Sequence, residues 1–352
     1  MTDTFEQQLD GGAAAAPAFS GDVDPGARAL VAALLAELLD AGTLAQAVVS
    51  VLAGGAINRS FLVEGPGFKH VLRVAPSAED TADIGIDMTN SAVVARITGA
   101  AGVGPAVIGV KMPEGHSLIE FVPGVLNNET LREGARLHDV GTAVRELHSL
   151  PAPEVRAVST FSEIDDWLAR AARQEGVSIA EFDELRPQLE AVAAVIEAVD
   201  GRCLSHRDLN PQNCIHTGTA AKLIDWDFSG VDSPYLDLAM LTTYADLTEA
   251  EARIFWAAAI GEVQAEDVAR IQLMRFAHAI REWSWARMAR ATLLGKAVTD
   301  DGLLPAGAEE AEDFYTAFGD VNRGHARRFA ADPRFAEWLE AAASSLPAPG
   351  FR

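Results

Sequence analysis

Two short stretches constrain this chain more than any others. They are Leu204-Ser205-His206-Arg207-Asp208-Leu209-Asn210-Pro211-Gln212-Asn213 and, close behind, Leu223-Ile224-Asp225-Trp226-Asp227. Together they read H-x-D-x-x-x-x-N, then an apolar strand ending in D-x-D, with Asp225 twelve residues after Asn213. Pro211 interrupts regular structure, so Asp208 and Asn213 stay on one loop and can face one point. Any fold that uses these groups must bring that loop beside the end of the following strand.

Phosphoryl transfer calls for this kind of set. It needs a divalent ion on the phosphates, an oriented hydroxyl, and positive groups against the phosphate charge. Magnesium is a hard cation that takes oxygen ligands, a few from protein and the rest from phosphate and water. Asn213 and Asp225 can supply an amide oxygen and a carboxylate. A separate carboxylate must accept the proton of the hydroxyl, and Asp208 is the candidate. Taken singly, each aspartate also reads as a loop cap or turn residue. The apolar strand leading into Asp225 makes the combination more specific than either residue alone.

The rest of the chain divides around these loops. Residues 1–26 hold Gly11-Gly12, an alanine run, Pro17 and Pro25, and read as a loose tail. Residues 27–123 read as a small β-rich lobe. A first helix carries Leu30, Leu34, Leu35 and Leu38 at helical spacing. Val48–Leu52, Phe61–Val63 and Val71–Val74 read as strands, the last two around a Gly65-Pro66-Gly67 turn. A helix over Asp87–Gly99 ends at Gly102-Val103-Gly104-Pro105, and Val107–Val110 and Ser117–Val122 read as two more strands. Residues 124–352 are mostly helical. Leu137, Val140, Val144 and Leu147 share one face, and Leu185, Leu189, Val192, Val195, Ile196 and Val199 share another. Ser162 with Asp165 reads as a capping pair. Strand-like pieces at Cys203-Leu204 and Leu223-Ile224 interrupt the helices, which resume from Thr248. The reading is α+β and bilobal, with a ligand cleft between the lobes.

Composition narrows the partners. Lys plus Arg number 28 and Asp plus Glu 51, a formal net charge of −23. That field repels phosphate backbones and anionic lipid surfaces, which excludes nucleic acid and membrane as partners and favours a cationic small molecule. It also suits nothing more than a well-solvated surface. Cys203 and Cys214 are the two cysteines; their spacing fits no zinc pattern and no disulfide scaffold, as expected of a cytoplasmic protein.

His206 to Asn213 and Ile224 to Asp227 resemble the catalytic and metal loops of the aminoglycoside phosphotransferase and choline kinase family, nearest its bacterial choline/ethanolamine kinase-like branch. Further pieces agree. Gly54-Gly55-Ala56-Ile57-Asn58-Arg59 is similar to the family's first-hairpin loop and Val71-Leu72-Arg73-Val74 to its third strand. Ile119-Glu120-Phe121-Val122-Pro123-Gly124 is similar to its interlobe hinge, and Asp237-Leu238-Ala239 and Met274-Arg275 through Trp285 also fit. The resemblance implies a protein-kinase-like fold and an ATP-dependent, magnesium-dependent kinase of small alcohols. In it, Asp208 is the catalytic base, Asn213 and Asp225 bind magnesium, and His206 and Asp237 support the catalytic loop. Arg73 stands for the strand-three lysine against the ATP phosphates, Asn58 lies in the first-hairpin loop, and Glu120, Phe121 and Val122 meet the adenine.

Two departures stand out. The first-hairpin loop is not G-x-G-x-x-G, and the helix after Asp87 offers Thr89, Asn90 and Ser91 where a glutamate would pair with Arg73, leaving Asp87 or Asp83 as substitutes. D-F-G and A-P-E are both missing, which argues against a protein kinase. For the substrate, the resemblance points to Trp285 and Glu282 on a late helix, to Asp227 and Asp232, and to Tyr244, around an amino alcohol such as choline or ethanolamine. Trp283 and Trp285 are two apart on one helix and cannot both face it. Aminoglycosides or other hydroxylated metabolites are the alternative substrates, and a nucleotide-binding pseudokinase scaffold is the alternative class.

Overall fold

Strand-forming residues concentrate in the first third of the chain, and there they build one mixed sheet. The computed structural model describes residues 15–52, 58–77, 81, 84–173, 178–198, 201–293 and 308–344. Its six strands are β1 (Ala18–Phe19), β2 (Val48–Val51), β3 (Arg59–Gly65), β4 (Phe68–Val74), β5 (Val107–Lys111) and β6 (His116–Glu120). They run in the order β1-β2-β3-β4-β6-β5, with β1 parallel to β2 and the other pairs antiparallel. Alternation puts Val49, Phe61, Val63, Leu72 and Leu118 on one face, buried against Val31, Leu34 and Leu35 of the helix Pro25–Leu38. Each such side chain contributes about 1.5–3 kcal/mol by leaving water.

The tail reading is corrected in its second half. Ala18 and Phe19 pair with Val48 and Val49, Val23 is buried, and Asp24 caps the helix that follows. Residues 1–14 lie outside the described residues, as do Gly54 to Ile57, Asp83 and Val199. The helix Met88–Ala101 starts at an Asp87 cap and stops at Gly102, whose φ of +78° suits a residue without Cβ.

The large lobe packs around the long helix Ala265–Leu293. The helices Arg136–Ser149, Thr160–Ala171, Arg186–Glu197, Pro234–Tyr244, Glu249–Ile260, Ala308–Ala330 and Phe335–Ala343 surround it. Two expectations change here. Ser159, not Ser162, caps the helix Thr160–Ala171, accepting from the Phe161 and Ser162 amides. A helix also forms at Pro234–Tyr244, before Thr248, started by a proline whose missing N–H needs no partner in the first turn. No helix among the described residues is long and apolar enough to cross a membrane. Both cysteines are free.

Two small ribbons interrupt the helices. β7 (Cys203–Ser205) pairs with β10 (Gly230–Asp232), and β8 (Cys214–His216) pairs with β9 (Ala221–Leu223). These pairings position the site.

Candidate active site

Because β7 leads out to β8 and β9 leads back to β10, the loops His206–Asn213 and Ile224–Ser229 emerge side by side. The Ile224 amide bonds the Asn213 carbonyl at 3.0 Å and locks them together. Each loop holds one non-glycine residue in the left-handed region, Arg207 at φ +63° and Asp225 at φ +69°. Such backbone costs about 1–3 kcal/mol and persists only where the surroundings over-determine it.

Those surroundings are visible. Asp237, fully buried at the start of its helix, accepts from the amides of His206 at 2.9 Å and Arg207 at 2.8 Å, and from His148 Nε2 at 2.8 Å. Burial alone would raise its pKa, but the His148 hydrogen bond and the neighbouring imidazoles hold it below the ordinary value. His206 Nε2 donates to the Ile224 carbonyl at 2.8 Å, and its ring lies 4.8 Å from that of buried Trp226. Burial holds the pKa of this imidazole below its ordinary value. His206 therefore braces one loop on the other and has no free donor toward the cleft through Nε2.

Asp208 projects from the braced loop into a cavity of about 760 Å³ between the lobes. Asn213 Nδ2 donates to its carboxylate at 2.9 Å and to its carbonyl at 2.8 Å. Burial, then the negative charges of Asp225 and Glu282, push the Asp208 carboxyl up to about 8. The same amide of Asn213 turns its oxygen away from Asp208, as a cation ligand would need.

Arg73 reaches across from β4. Its Nη2 meets Asp225 Oδ1 at 2.8 Å and Asp227 Oδ1 at 3.2 Å. This answers the question of its partner: Asp87 instead caps the helix Met88–Ala101, accepting from the Asn90 amide. The positions where a glutamate would stand work differently. Ser91 Oγ donates to Asp227 Oδ1 at 2.9 Å, and Asn90 Nδ2 donates to the Ser229 carbonyl at 2.9 Å. Neutral hydrogen bonds thus tie this helix to the Asp225–Ser229 loop in place of an ion pair. Asp227 Oδ2 accepts from Asn58 Nδ2 at 2.7 Å. Burial and the charge of Asp225 push Asp227 up to about 6, against the pull of Arg73. With Asn58, Arg73 and Ser91 on its oxygens, Asp227 belongs to this interlobe network and also lines the cavity. Asp232 is not among the residues lining the cavity: it is buried and accepts from Arg207 Nε and Thr160 Oγ1, which corrects its reading as a substrate group.

Toward the hinge, the cavity is apolar. Leu52, Val71, Ala95, Ile119, Ile215 and Ile224 line it, with Glu120, Phe121 and Val122 at its edge. The Glu120 and Phe121 amides are used within the sheet, bonding Ala106 and Lys69 carbonyls.

The opposite end is aromatic. Trp285 lines it, edge-on to Tyr315 at 5.5 Å, Phe318 at 6.1 Å and Phe228 at 6.4 Å. Trp283 points away and stacks on Phe182 at 3.7 Å, as two residues two apart on a helix must diverge. Tyr244 and Glu282 also line the cavity. Glu282 is not free: Arg281 Nη1 holds its Oε1 at 2.7 Å.

The sequence offers Arg281 as a partner for Glu282, but misses Glu163 and the aromatic contacts of Arg281. Arg281 lies over Trp167 at 4.9 Å and Phe228 at 5.6 Å, a built-in cation on two aromatic faces. One oxygen of Glu163, Oε2, accepts from both Arg281 Nε and Arg207 Nη2 at 2.7 Å. A single buried carboxylate therefore joins the residue before Asp208 to the wall of the aromatic pocket. Glu163 is 118 residues from Arg281 and 44 from Arg207, so no local pattern reveals it.

Comparison with known proteins gives the family and the fold. A family model described as the phosphotransferase enzyme family matches residues 48–274, more than half of the chain. That span holds Arg73, Asp208, Asn213, Asp225 and Asp237 and ends before Arg281, Glu282 and Trp285. Among curated proteins no sequence match was found. Among solved structures, a choline/ethanolamine kinase family protein from Mesorhizobium loti superposes with a TM-score of 0.68 at 20% identity, covering 84% of this chain and 92% of its own. A choline kinase from Streptococcus pneumoniae gives 0.61 at 17% identity, covering 83% and 98%. A spectinomycin phosphotransferase bound to ADP and spectinomycin gives 0.53 at 12% identity, covering 80% and 93%. At these identities the likeness establishes a shared protein-kinase-like fold.

Proposed function

Since the chain belongs to the phosphotransferase enzyme family, we propose that it is a cytosolic kinase that moves the γ-phosphate of ATP to the hydroxyl of a small amino alcohol of the choline or ethanolamine type. The observation that carries this reading is the placement of Asp208. It stands between a phosphate-binding end built from Arg73 and Asp225 and an aromatic pocket closed by Trp285, Tyr315 and Phe318.

In this reading the adenine lies in the apolar slot beside Glu120–Val122. Arg73 balances charge on the phosphates. Asp208 accepts the substrate proton as the new O–P bond forms and the γ-phosphate leaves ADP behind. The donor set suits magnesium: the Asp225 side chain is 38% exposed beside Arg73, and Asn213 offers an amide oxygen. Among the described residues no cluster of three or more His, Cys, Asp or Glu forms a metal site, so phosphate and water would complete the shell. When bound there, held by Asp225 and Asn213, magnesium would offset the charge of the phosphates.

A cationic substrate fits the electrostatics. Burial, with Asp225 and Glu282 nearby, holds Asp208 protonated up to about pH 8. An ammonium in the aromatic pocket would favour the ionised base, and contact with an indole face adds roughly 0.5–2 kcal/mol. The kinases of choline and ethanolamine among the structural neighbours support the same substrate class. One observation favours a second reading: Arg281 already occupies the faces of Trp167 and Phe228 and one oxygen of Glu282. A hydroxylated neutral substrate or an aminoglycoside would suit those groups better.

ADP release from Mg-ATP across choline, ethanolamine, aminoglycosides and sugar alcohols, with Asp208→Asn as control, tests both readings. Release driven by an amino alcohol and lost in the control supports the first. Release driven only by a polyhydroxylated compound supports the second. Nucleotide binding without release by any compound points to the pseudokinase class.

A further inference from the structure

Behind the substrate wall, five helices leave a second cavity of about 370 Å³. Arg275, His325 and Arg328 converge on it, with Thr243 and Gln272 beside them. In a chain with 51 acidic and 28 basic residues, two arginines without a carboxylate partner at one cavity run against the composition. Among the described residues neither Arg275 nor Arg328 has a carboxylate within ion-pair distance.

Arg275 is half-buried and held by neutral groups. Its Nε donates to Thr243 Oγ1 at 3.1 Å and its Nη1 to Gln272 Oε1 at 3.2 Å. Its guanidinium lies over the Phe329 ring at 5.1 Å. Such a guanidinium is pre-aligned yet keeps its charge and further N–H groups for a ligand. This is how arginine meets phosphate or carboxylate.

The carboxylates at the rim do not neutralise it. Asp332 is taken by Arg334 through Nε at 3.0 Å and Nη2 at 2.8 Å. Glu249 is taken by Arg253. Asp246 is exposed and acts on Arg275 and His325 only at a distance. His325 itself is held below its ordinary pKa by burial, then by Arg328 and Arg275, against Asp246.

We propose that this cavity binds a phosphate group, free or carried as a monoester by a small metabolite, with Arg275 and Arg328 as its anchors. The site is separate from the transfer centre but stands on the same helix, Ala265–Leu293, that carries Arg281, Glu282 and Trp285. At a rise of 1.5 Å per residue, Arg275 lies about 9–15 Å along the helix from those residues. Fully buried His278 lies between them on that helix, its ring 5.0 Å from that of Tyr244.

The test follows the His325 imidazole by NMR in the full chain, against inorganic phosphate and against phosphoethanolamine, with ionic strength held constant by chloride. The expected result is a saturable response with the His325 titration moved to higher pH, because a bound anion offsets Arg275 and Arg328. It should be lost in Arg275→Met and in Arg328→Met. Arg328 is exposed, so Arg328→Met decides the matter should Arg275→Met fail to fold. Tighter saturation by phosphoethanolamine identifies a monoester; equal saturation identifies the phosphate group alone. No saturable response to either probe, or a response that survives in both variants, overturns the proposal.

Discussion

The two ends of the interlobe cleft are built on different terms. At the phosphate end, the polar side chains of Asn58, Arg73, Ser91, Asp225 and Asp227 are joined in one network. At the aromatic end, Arg281 Nη2, Trp285 Nε1 and His278 Nε2 are buried without a hydrogen-bond partner among the described residues. Each such orphan costs about 1–3 kcal/mol. On the proposed function, the contrast separates the end where the reaction is prepared from the end where selectivity lies. The phosphate end is complete in the free protein and falls inside the span matched by the family model. The aromatic wall carries the uncompensated groups and falls mostly beyond that span.

The sharpest way to separate the ends is Asp208→Asn. It should keep Mg-ATP affinity and lose about 10²–10⁴ in turnover, the usual worth of a general base. Normal turnover in steady-state assays would falsify its role.

Asp225→Ala should act at the phosphate end alone. It removes a magnesium oxygen and one partner of Arg73, so nucleotide affinity in magnesium should fall by about 2 kcal/mol, roughly 30-fold. Calorimetry with and without magnesium reads this; an unchanged affinity removes Asp225 from the ligand set.

Glu163→Gln should blur the two ends, because one oxygen serves Arg207 and Arg281. Turnover should fall about 10-fold and the KM for the alcohol should rise, with the KM for ATP little moved, since hydrogen bonds to charged groups are worth about 1.5–3 kcal/mol. Glu163→Asp should recover part of the loss. An equal loss of both KM values would show a merely structural role.

Trp285→Ala should act at the aromatic end alone. The KM for a cationic alcohol should rise a few-fold, to about 30-fold at most, with a smaller change in kcat. An unaltered KM takes Trp285 out of the pocket.

The smallest effect is thermal. The Asp208 carboxyl is raised from 3.8 to about 8 in the folded protein. A group whose folded pKa is raised makes the fold bind more protons than the unfolded chain, so stability falls as pH climbs between those values. Ligand-free wild type should therefore lose stability relative to Asp208→Asn from about pH 4 to about pH 8, and no more above that. Scanning calorimetry should show a Tm gap that opens above about pH 4, widens with pH and levels off near pH 8. A gap that does not widen with pH would place the Asp208 titration elsewhere.

Much of the phosphate end is legible in the sequence. Asp208, Asn213 and Asp225 lie within 18 consecutive residues, and the ribbons that carry them are nearest neighbours in the chain. Local geometry therefore sets their convergence. The Arg73 partner is not legible, because Ser91 and Asn90 replace an ionic device with hydrogen bonds to another lobe. The contacts of Asp227 are not legible either: a D-x-D spacing does not show that it meets Asn58, Arg73 and Ser91 from other elements.

What the sequence determined by itself was the chemistry and the two-lobe plan. Strand and helix periods divide the chain, and a short motif holds the groups that hydroxyl, phosphate and cation demand. Only the tertiary structure decided the packing of Tyr315 and Phe318 on Trp285, the Glu163 bridge and the second cavity. These join the helices Thr160–Ala171, Ala265–Leu293 and Ala308–Ala330, tens to more than a hundred residues apart. Their meeting is set by how buried faces pack, and packing of distant helices leaves no periodic trace in the chain.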